Sequence, residues 1–157
     1  MLIKFSKKQL AEIDKTRETL EQYAPDVKPI FLKPRDIWEF LAAHEKTIDA
    51  LEGQKERFYV LGLDTRNQIK FIDIVSTGTL NYNLVHPREV FRPAIIVGCA
   101  SLVVAHNHPS GSLEPSDEDI GLTKRLVSGG KLLGIEVIDH VIITKDGFTS
   151  LKEKGLL

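Results

Sequence analysis

Residues 105–119 read AHNHPSGSLEPSDED and bring together residue types that can bind a metal ion. In a strand, side chains at positions i and i+2 point to the same face, so His106 and His108 would present two imidazoles side by side. Asp119, in the first turn of a following helix, would turn a carboxylate toward the strand end. Two neutral imidazoles and one carboxylate leave a fourth position open to water, which is the ligand arrangement of catalytic rather than structural zinc. A zinc ion lowers the pKa of its bound water from about 16 to about 7, which makes hydroxide available at neutral pH.

The same stretch also has a purely structural interpretation. Ser116 with an acid three residues later at Asp119 matches a capping box, and the acids at 117–119 suit the positive end of a helix dipole. Taken alone, this pair indicates a helix cap more strongly than a site, and His-x-His alone is a weak motif. The combination of paired histidines at a strand end, a glycine turn and Ser-x-x-Asp favours the metal site. The adjacent letters HNH do not indicate an HNH nuclease, whose motif residues are dispersed along the chain.

Strands and helices must alternate along the chain to position these side chains. Residues 101–108, SLVVAHNH, are a short apolar run typical of a buried strand, and residues 117–133 read as a helix. Further strands are predicted at 57–64, 69–80, 135–143 and 148–151, and further helices at 6–22, from Pro34 to a stop at Gly53, and from Pro87. This alternation predicts an α/β fold with a mixed sheet covered by helices.

Composition and charge narrow the class of protein. The 157 residues suit one domain with its own core, and 42% apolar with 27% charged residues is typical of soluble globular proteins. No apolar run approaches the roughly 18 residues of a membrane helix, and the first ten residues lack the apolar region of a signal peptide. We therefore expect a cytoplasmic protein without membrane contact. A net charge of −1 with dispersed Lys and Arg argues weakly against a dedicated nucleic-acid binder.

A single cysteine limits other chemistry. Cys99 is the one cysteine of the chain, which excludes an intramolecular disulfide and a cysteine-based zinc site, and its apolar surroundings predict a buried core residue. Deaminases that hold zinc with His-x-Glu and Cys-x-x-Cys need more cysteines than this, so deamination is excluded. Trp38 is predicted to pack its helix against the sheet.

The spacing His106-x-His108, seven residues, Ser116-x-x-Asp119 resembles the JAMM motif of the JAB/MPN metalloprotease superfamily. The stretches LDTRNQI, STGTLN, VHPREVFRPAI, AHNHPSG, PSDEDI and LGIEVIDHVII resemble its bacterial RadC-like branch in particular. This resemblance implies a fold like that of cytidine deaminase, a mixed sheet sandwiched by helices. It assigns residues 35–157 to a RadC-like JAB/MPN domain and leaves residues 1–34 as an N-terminal helix and an extended connector.

The resemblance also implies roles for the matched residues. His106, His108 and Asp119 would bind Zn²⁺. Ser116 would donate a hydrogen bond to the oxyanion of a tetrahedral intermediate while it also caps its helix. The family adds a glutamate just before a strand that ends in Leu-x-Leu, and the stretch ERFYVLGLD puts it at Glu56. That glutamate would take a proton from the zinc-bound water and pass it to the leaving amine.

Other polar residues carry weaker indications. Glu56 could simply be a solvated residue at a strand start, and Glu89 in HPREVF is a less favoured base because its helix context explains it well. His140 in VIDHVII is predicted to be a buried, hydrogen-bonded structural histidine, with Asp139 orienting either it or a zinc-bound imidazole. Asn107 would point away from the two histidines.

Three functions compete. The first is a zinc-dependent peptidase acting on peptide or isopeptide bonds, whose protein substrate could be a ubiquitin-like conjugate. The second is a RadC-like binding module in DNA repair or mobile-element processes that does not hydrolyse. Residues 1–34 lack the helix-hairpin-helix pattern usual in RadC-like proteins, which weakens that role. The third is a metallonuclease, ranked last because the sequence shows neither a basic groove nor a carboxylate cluster for a second metal. The complete motif favours the peptidase.

Overall fold

Helices and strands alternate along the part of the chain that this computed structural model describes, residues 33–46, 48, 54–78 and 85–157. The helices are α1 (Pro34–Glu45), α2 (Pro87–Val97) and α3 (Asp117–Leu133). The strands are β1 (Glu56–Leu63), β2 (Ile69–Gly78), β3 (Ser101–Asn107), β4 (Glu136–Ile143) and β5 (Phe148–Ser150). Each element predicted within these residues is present. The predicted helix at 6–22 and nearly all of the predicted connector at 23–34 lie outside them.

One predicted boundary is wrong. Helix α1 ends at Glu45, with Lys46 as its C-cap, rather than at Gly53, and residues 47 and 49–53 lie outside the described residues. No glycine marks this end of the helix. The carboxylate of Glu45 instead contacts the side chains of Arg57 and Tyr59 on the sheet, and these contacts hold the last turn. A helical pattern in the sequence does not report such long-range contacts.

The strands of the described residues form a mixed sheet in the order β2-β1-β3-β4-β5. Strands β3 and β4 pair in parallel, and the other neighbouring strands pair antiparallel. A parallel pair needs a crossover connection, which α3 supplies. Gly130 lets α3 approach the start of β4, because a Cβ there would lie 2.4 Å from the Ile135 carbonyl oxygen. The predicted α/β fold with a mixed sheet is confirmed.

Helices cover both faces of the sheet. On one face, α1 packs on an apolar core that comprises Ile37, Leu41, Tyr59, Leu61, Leu63, Ile69, Val103, Ala105, Val141 and Ile143. On the other face, α2 and α3 pack on a core that includes Phe58, Val60, Val90, Phe91, Leu102, Val104, Leu122, Leu126 and Val137. Successive residues of β3 alternate between these cores, and the whole strand is buried. The predicted sandwich of a sheet between helices is therefore confirmed.

Two residues pack as the sequence predicts. Cys99 is buried in the core under α2, and burial raises the pKa of its thiol to about 11. Trp38 donates its ring N–H to the Thr144 carbonyl at 2.9 Å and packs against Phe148, which joins α1 to the β4–β5 hairpin. Among the described helices, none combines the length and the apolar character needed to cross a membrane.

Candidate metal centre

The two motif histidines lie where β3 ends. His106 is the penultimate residue of the strand, and His108 follows it, with its backbone N–H donated to the Ile143 carbonyl at 2.9 Å. The chain then turns sharply, because the N–H of Gly111 donates to the His108 carbonyl at 3.0 Å. Gly111 has φ 82°, in the left-handed region that favours glycine. This turn leads the chain away from the sheet and toward the start of α3.

The structure brings His106, His108 and Asp119 together. The Nε2 atoms of the two histidines lie 2.9 Å apart, and Nε2 of His106 lies 3.2 Å from Oδ1 of Asp119. One atom from each residue can be chosen so that all three lie within 4.8 Å of one another. Ligand atoms about 2.0–2.1 Å from a shared zinc ion sit roughly 3.3 Å apart, so the observed spacing suits one such ion. His106 and Asp119 are buried, whereas His108 is partly exposed at the open side.

Asp119 closes the helix cap and also faces the histidines of the candidate metal centre. Its Oδ2 accepts hydrogen bonds from the Ser116 N–H at 2.8 Å and from the Ser116 hydroxyl at 2.7 Å, while the Asp119 N–H donates to that hydroxyl oxygen at 3.1 Å. Its Oδ1 faces His106. Burial would raise the pKa of the Asp119 carboxyl, and the hydrogen bonds that Ser116 donates to it oppose that rise. The capping-box prediction is confirmed, and it does not compete with the metal centre.

His108 presents an acceptor nitrogen to the centre. Nδ1 of His108 lies 2.8 Å from the Ser112 carbonyl oxygen, which can only accept, so this nitrogen carries the ring proton. In the neutral ring, Nε2 of His108 therefore presents a lone pair toward His106 and Asp119. The Nε2 lone pair of His108 and the carboxylate oxygens of Asp119 are all acceptors, so a cation or a proton between them is favourable. The donor set therefore fits a zinc ion, which takes histidine nitrogens and carboxylate oxygens.

His140 and Thr123 lie directly behind the centre. Nε2 of His140 is 2.8 Å from Nδ1 of His106, and Nδ1 of His140 is 2.5 Å from the Thr123 hydroxyl oxygen. Burial, with the neighbouring histidines, lowers the pKa of His140 well below its ordinary value. The prediction of a buried, hydrogen-bonded His140 is confirmed, but its contact with His106 went unrecognised. Parallel pairing of β3 and β4 sets Val104 beside His140, and this adjacency of the two strands was the missing signal.

The prediction that Asp139 orients an imidazole is wrong. Its carboxylate accepts hydrogen bonds from the Ser150 hydroxyl at 2.6 Å, from its neighbour's backbone N–H at 2.7 Å and from the Lys152 N–H at 3.2 Å. Side chains alternate along β4, so Asp139 and His140 point to opposite faces of the sheet. Asp139 therefore ties β4 to β5 and to the segment that follows β5.

Glu56 begins β1 and lies on the same side of the sheet as the centre. Phe58 pairs with His106 across the β1–β3 ladder, and their rings stack with centroids 6.3 Å apart. Glu56 precedes Phe58 by two residues, so its side chain leaves the same face of the strand. Glu89, the less favoured alternative base, forms ion pairs with Arg88 and Arg92 on the surface of α2.

The backbone on both sides of Glu56 is tied to Asn107. Oδ1 of Asn107 accepts the Arg57 N–H at 2.6 Å, and its Nδ2 donates to the Lys55 carbonyl at 3.0 Å. The Asn107 side-chain amide thus makes the two hydrogen bonds to β1 that a backbone peptide group would make if β3 continued. As predicted, Asn107 points away from the two histidines, but it contacts the peptide groups that flank Glu56. Arg57 and Asn107 are 50 residues apart in the sequence, so no local pattern predicted this contact.

Comparison with known proteins identifies relatives along most of the chain. A sequence profile of the RadC-like JAB domain matches residues 31–156. A UPF0758 protein of Methanosarcina acetivorans is 42% identical over 149 residues, which cover 95% of this chain and 63% of that protein. One of Moorella thermoacetica is 47% identical over 130 residues, covering 83% of this chain and 55% of the relative. One of Symbiobacterium thermophilum is 45% identical over 124 residues, covering 79% and 51%. The chain thus spans between about half and two thirds of the length of these curated relatives.

Proposed function

Because the chain belongs to the RadC-like JAB domain family, we propose that it is a zinc-dependent metallohydrolase that cleaves peptide or isopeptide bonds with an activated water. The observation that carries the proposal is the convergence of His106, His108 and Asp119 at the end of a buried strand. Three acceptor groups held at this spacing, with one side partly open, match the three-ligand arrangement of catalytic zinc. The wider JAB/MPN superfamily that the motif resembles contains metalloproteases.

His106, His108 and Asp119 would hold the ion, which supplies a Lewis acid and lowers the pKa of bound water to about 7. Glu56 takes a proton from the attacking water and returns it to the leaving amine, so the C–N bond breaks as the amine becomes neutral. Asn107 restrains the backbone that carries this carboxylate.

Ser116 donates a hydrogen bond to the oxyanion that forms on the substrate carbonyl. Its hydroxyl hydrogen points to Asp119 in the structure, so it must rotate to reach a substrate. The Ser116 backbone N–H, which also donates to Asp119, keeps the carboxylate in place during this rotation. The partly exposed His108 marks the side from which a substrate arrives.

We propose a peptide or protein substrate, with a ubiquitin-like conjugate as one candidate, and the cytoplasm as the compartment. The free thiol of a single cysteine suits a reducing compartment. A net charge of −1 does not favour nucleic acid as the partner.

Metal content of the purified protein is the first test of the proposal. Elemental analysis of wild type should give about one zinc per chain. His108→Ala and Asp119→Asn should lose it while circular dichroism shows the fold retained. A wild-type protein that takes up no zinc when zinc is supplied would overturn the proposal.

Hydrolysis is then tested with peptide libraries and isopeptide-linked conjugates. Glu56→Gln should keep the zinc and lose about 10²–10⁴-fold in rate, the usual contribution of a general base. Glu89→Gln, on the exposed surface of α2, is the matched control and should leave the rate unchanged. Zinc binding without hydrolysis of any of these substrates would favour the RadC-like binding module instead.

A further inference from the structure

A chain of buried contacts connects α3 to the metal centre. The Thr123 hydroxyl lies 2.6 Å from the Asp119 backbone carbonyl oxygen and 2.5 Å from Nδ1 of His140. The other ring nitrogen of His140 lies 2.8 Å from Nδ1 of His106. Thr123, His140 and His106 are each 0% exposed, so water does not compete for these contacts.

The Asp119 backbone carbonyl, at one end of this series of hydrogen bonds, fixes the donor and the acceptor of each of them. The Asp119 carbonyl oxygen can only accept, so the single hydroxyl hydrogen of Thr123 is donated to it. The Thr123 oxygen then offers only lone pairs to His140, which must donate from Nδ1. Full burial favours the neutral ring, so Nε2 of His140 keeps a lone pair and accepts a proton from Nδ1 of His106. The remaining nitrogen of His106, Nε2, is left with its lone pair facing Asp119.

This series of contacts both starts and ends at Asp119. It runs from the backbone carbonyl of Asp119 to His106, whose Nε2 lies 3.2 Å from the Asp119 side chain. Two of the three proposed ligands, one on α3 and one on β3, are therefore linked through β4. A small movement of α3 against the sheet would disturb both ligands together.

We infer that Thr123 and His140 are positioning residues of the metal centre, which hold His106 in the Nδ1–H tautomer with its Nε2 lone pair turned toward the ion. The inference deepens the proposed function and rests on it for the presence of a metal. The tautomer itself belongs to the protein and is set before an ion binds. Zinc binding then requires no change of tautomer at His106, which favours affinity.

Nitrogen NMR of the histidine rings tests the tautomers directly. In metal-free protein labelled with ¹⁵N-histidine, at about pH 8 where ordinary histidines are neutral, His106 and His140 should both carry their proton on Nδ1. One equivalent of zinc should shift Nε2 of His106 and leave both protons where they are. A proton on Nε2 of His106 in the metal-free protein would overturn the inference.

Zinc affinity, measured by competition with a chelator, tests the consequence. Thr123→Val keeps the shape but removes the hydroxyl, and should weaken zinc binding about 10–100-fold while His106 shows mixed tautomers. Thr123→Ser keeps the hydroxyl and should restore both readouts. His140→Gln removes the ring and should weaken binding similarly, and if that variant does not fold, the threonine pair still decides. Unchanged affinity and unchanged tautomers in Thr123→Val would overturn the inference.

His86→Asn is the matched control for loss of an imidazole. His86 is exposed and accepts a hydrogen bond from the Arg88 N–H at the start of α2, a role that asparagine can fill. The zinc affinity of His86→Asn should equal that of wild type. If wild type binds no zinc, the proposed function is wrong. The tautomers of the metal-free protein then still test whether Thr123 and His140 position His106. If wild type binds zinc and Thr123→Val binds it equally well, the inference about Thr123 and His140 is wrong while the proposed function stands.

Discussion

Two buried polar clusters lie on opposite faces of the sheet where β3 ends. The acceptor cluster, His106, His108 and Asp119, lies on the face covered by α2 and α3. The paired cluster, Glu45, Arg57, Tyr59 and Asn107, lies on the face covered by α1.

The clusters differ in how donors and acceptors are matched. In the paired cluster, Arg57 donates to the Glu45 carboxylate at 3.3 Å and to the Lys55 carbonyl at 3.2 Å, and the Tyr59 hydroxyl donates to Glu45. In the acceptor cluster, two ring nitrogens and a carboxylate oxygen face one another, and in the inferred tautomers each presents a lone pair. Burial of polar groups therefore does not distinguish a metal site from a structural network. An excess of acceptors does, because an added cation or an added proton is needed to satisfy it.

The largest expected difference is the response to zinc. Zinc that binds only the folded chain should stabilise wild type by about 4 kcal/mol at a free concentration roughly 1,000 times the dissociation constant. His108→Ala should lose that gain, because a ligand is missing. Thermal unfolding with and without zinc measures both. Equal stabilisation of His108→Ala and wild type by zinc would contradict the claim that the acceptor cluster is the one that binds the ion.

The paired cluster should respond to loss of one partner rather than to metal. Arg57 is 4% exposed and Glu45 is 19% exposed, so Arg57→Met would leave a largely buried carboxylate without its cation. We expect a loss of about 2–3 kcal/mol in urea unfolding, below the full effect of a fully buried pair. Arg92→Met, which breaks an exposed ion pair with Glu89 on α2, should cost less than about 0.5 kcal/mol. Equal losses in the two variants would contradict the assigned burial.

Asn107→Asp tests whether the two clusters act independently. The aspartate keeps an acceptor for the Arg57 N–H but sets a carboxylate oxygen against the Lys55 carbonyl, where an N–H now donates at 3.0 Å. Stability should fall by about 1–3 kcal/mol, whereas zinc content should stay at the wild-type value. Asn67→Asp, in a turn at φ 58° that aspartate also adopts, is the matched control. Loss of zinc in Asn107→Asp would show that the clusters are coupled.

The smallest expected effect is a pH dependence from His44, which lies beside the paired cluster. Burial, opposed by Glu45 and assisted by Arg57, lowers the pKa of His44. The unfolded chain therefore takes up the proton first as pH falls, so stability is present above the ordinary pKa of about 6.5 and is lost below it. Because the ring is only half-buried, we expect a few tenths of a kcal/mol between about pH 7 and pH 5.

His44→Gln should reduce the slope of metal-free protein by that amount, while the larger contribution of the buried His140, whose pKa is lowered well below its ordinary value, remains. Urea unfolding at several pH values measures it, with His86→Asn as the control that keeps the slope. A His44→Gln profile parallel to wild type would show that His44 does not titrate differently on folding.

Local patterns predicted most of the site, and long-range pairing supplied the rest. The apolar run of β3 and the Ser116–Asp119 box located the three converging residues, because strand alternation and helix capping act over a few residues. The contact of Thr123 with His140 depends on the parallel pairing of β3 with β4 and on the approach of α3. The end of α1 at Glu45 likewise depends on partners in β1. Neither contact leaves a periodic pattern in the sequence.

The order of the elements along the chain separates two properties that a hydrolase must combine. The continuous segment from β3 through α3 to β4 contains His106, His108, Asp119 and the Thr123–His140 pair, whereas Glu56 comes from β1. Under the proposed function, the residues that would hold the ion thus lie in one contiguous unit, and the residue that would accept the proton lies in another. Under that proposal, a descendant gene that exchanged only the Glu56 codon would keep all the residues that would hold the ion. Loss of hydrolysis and loss of the ion would then be separate evolutionary events.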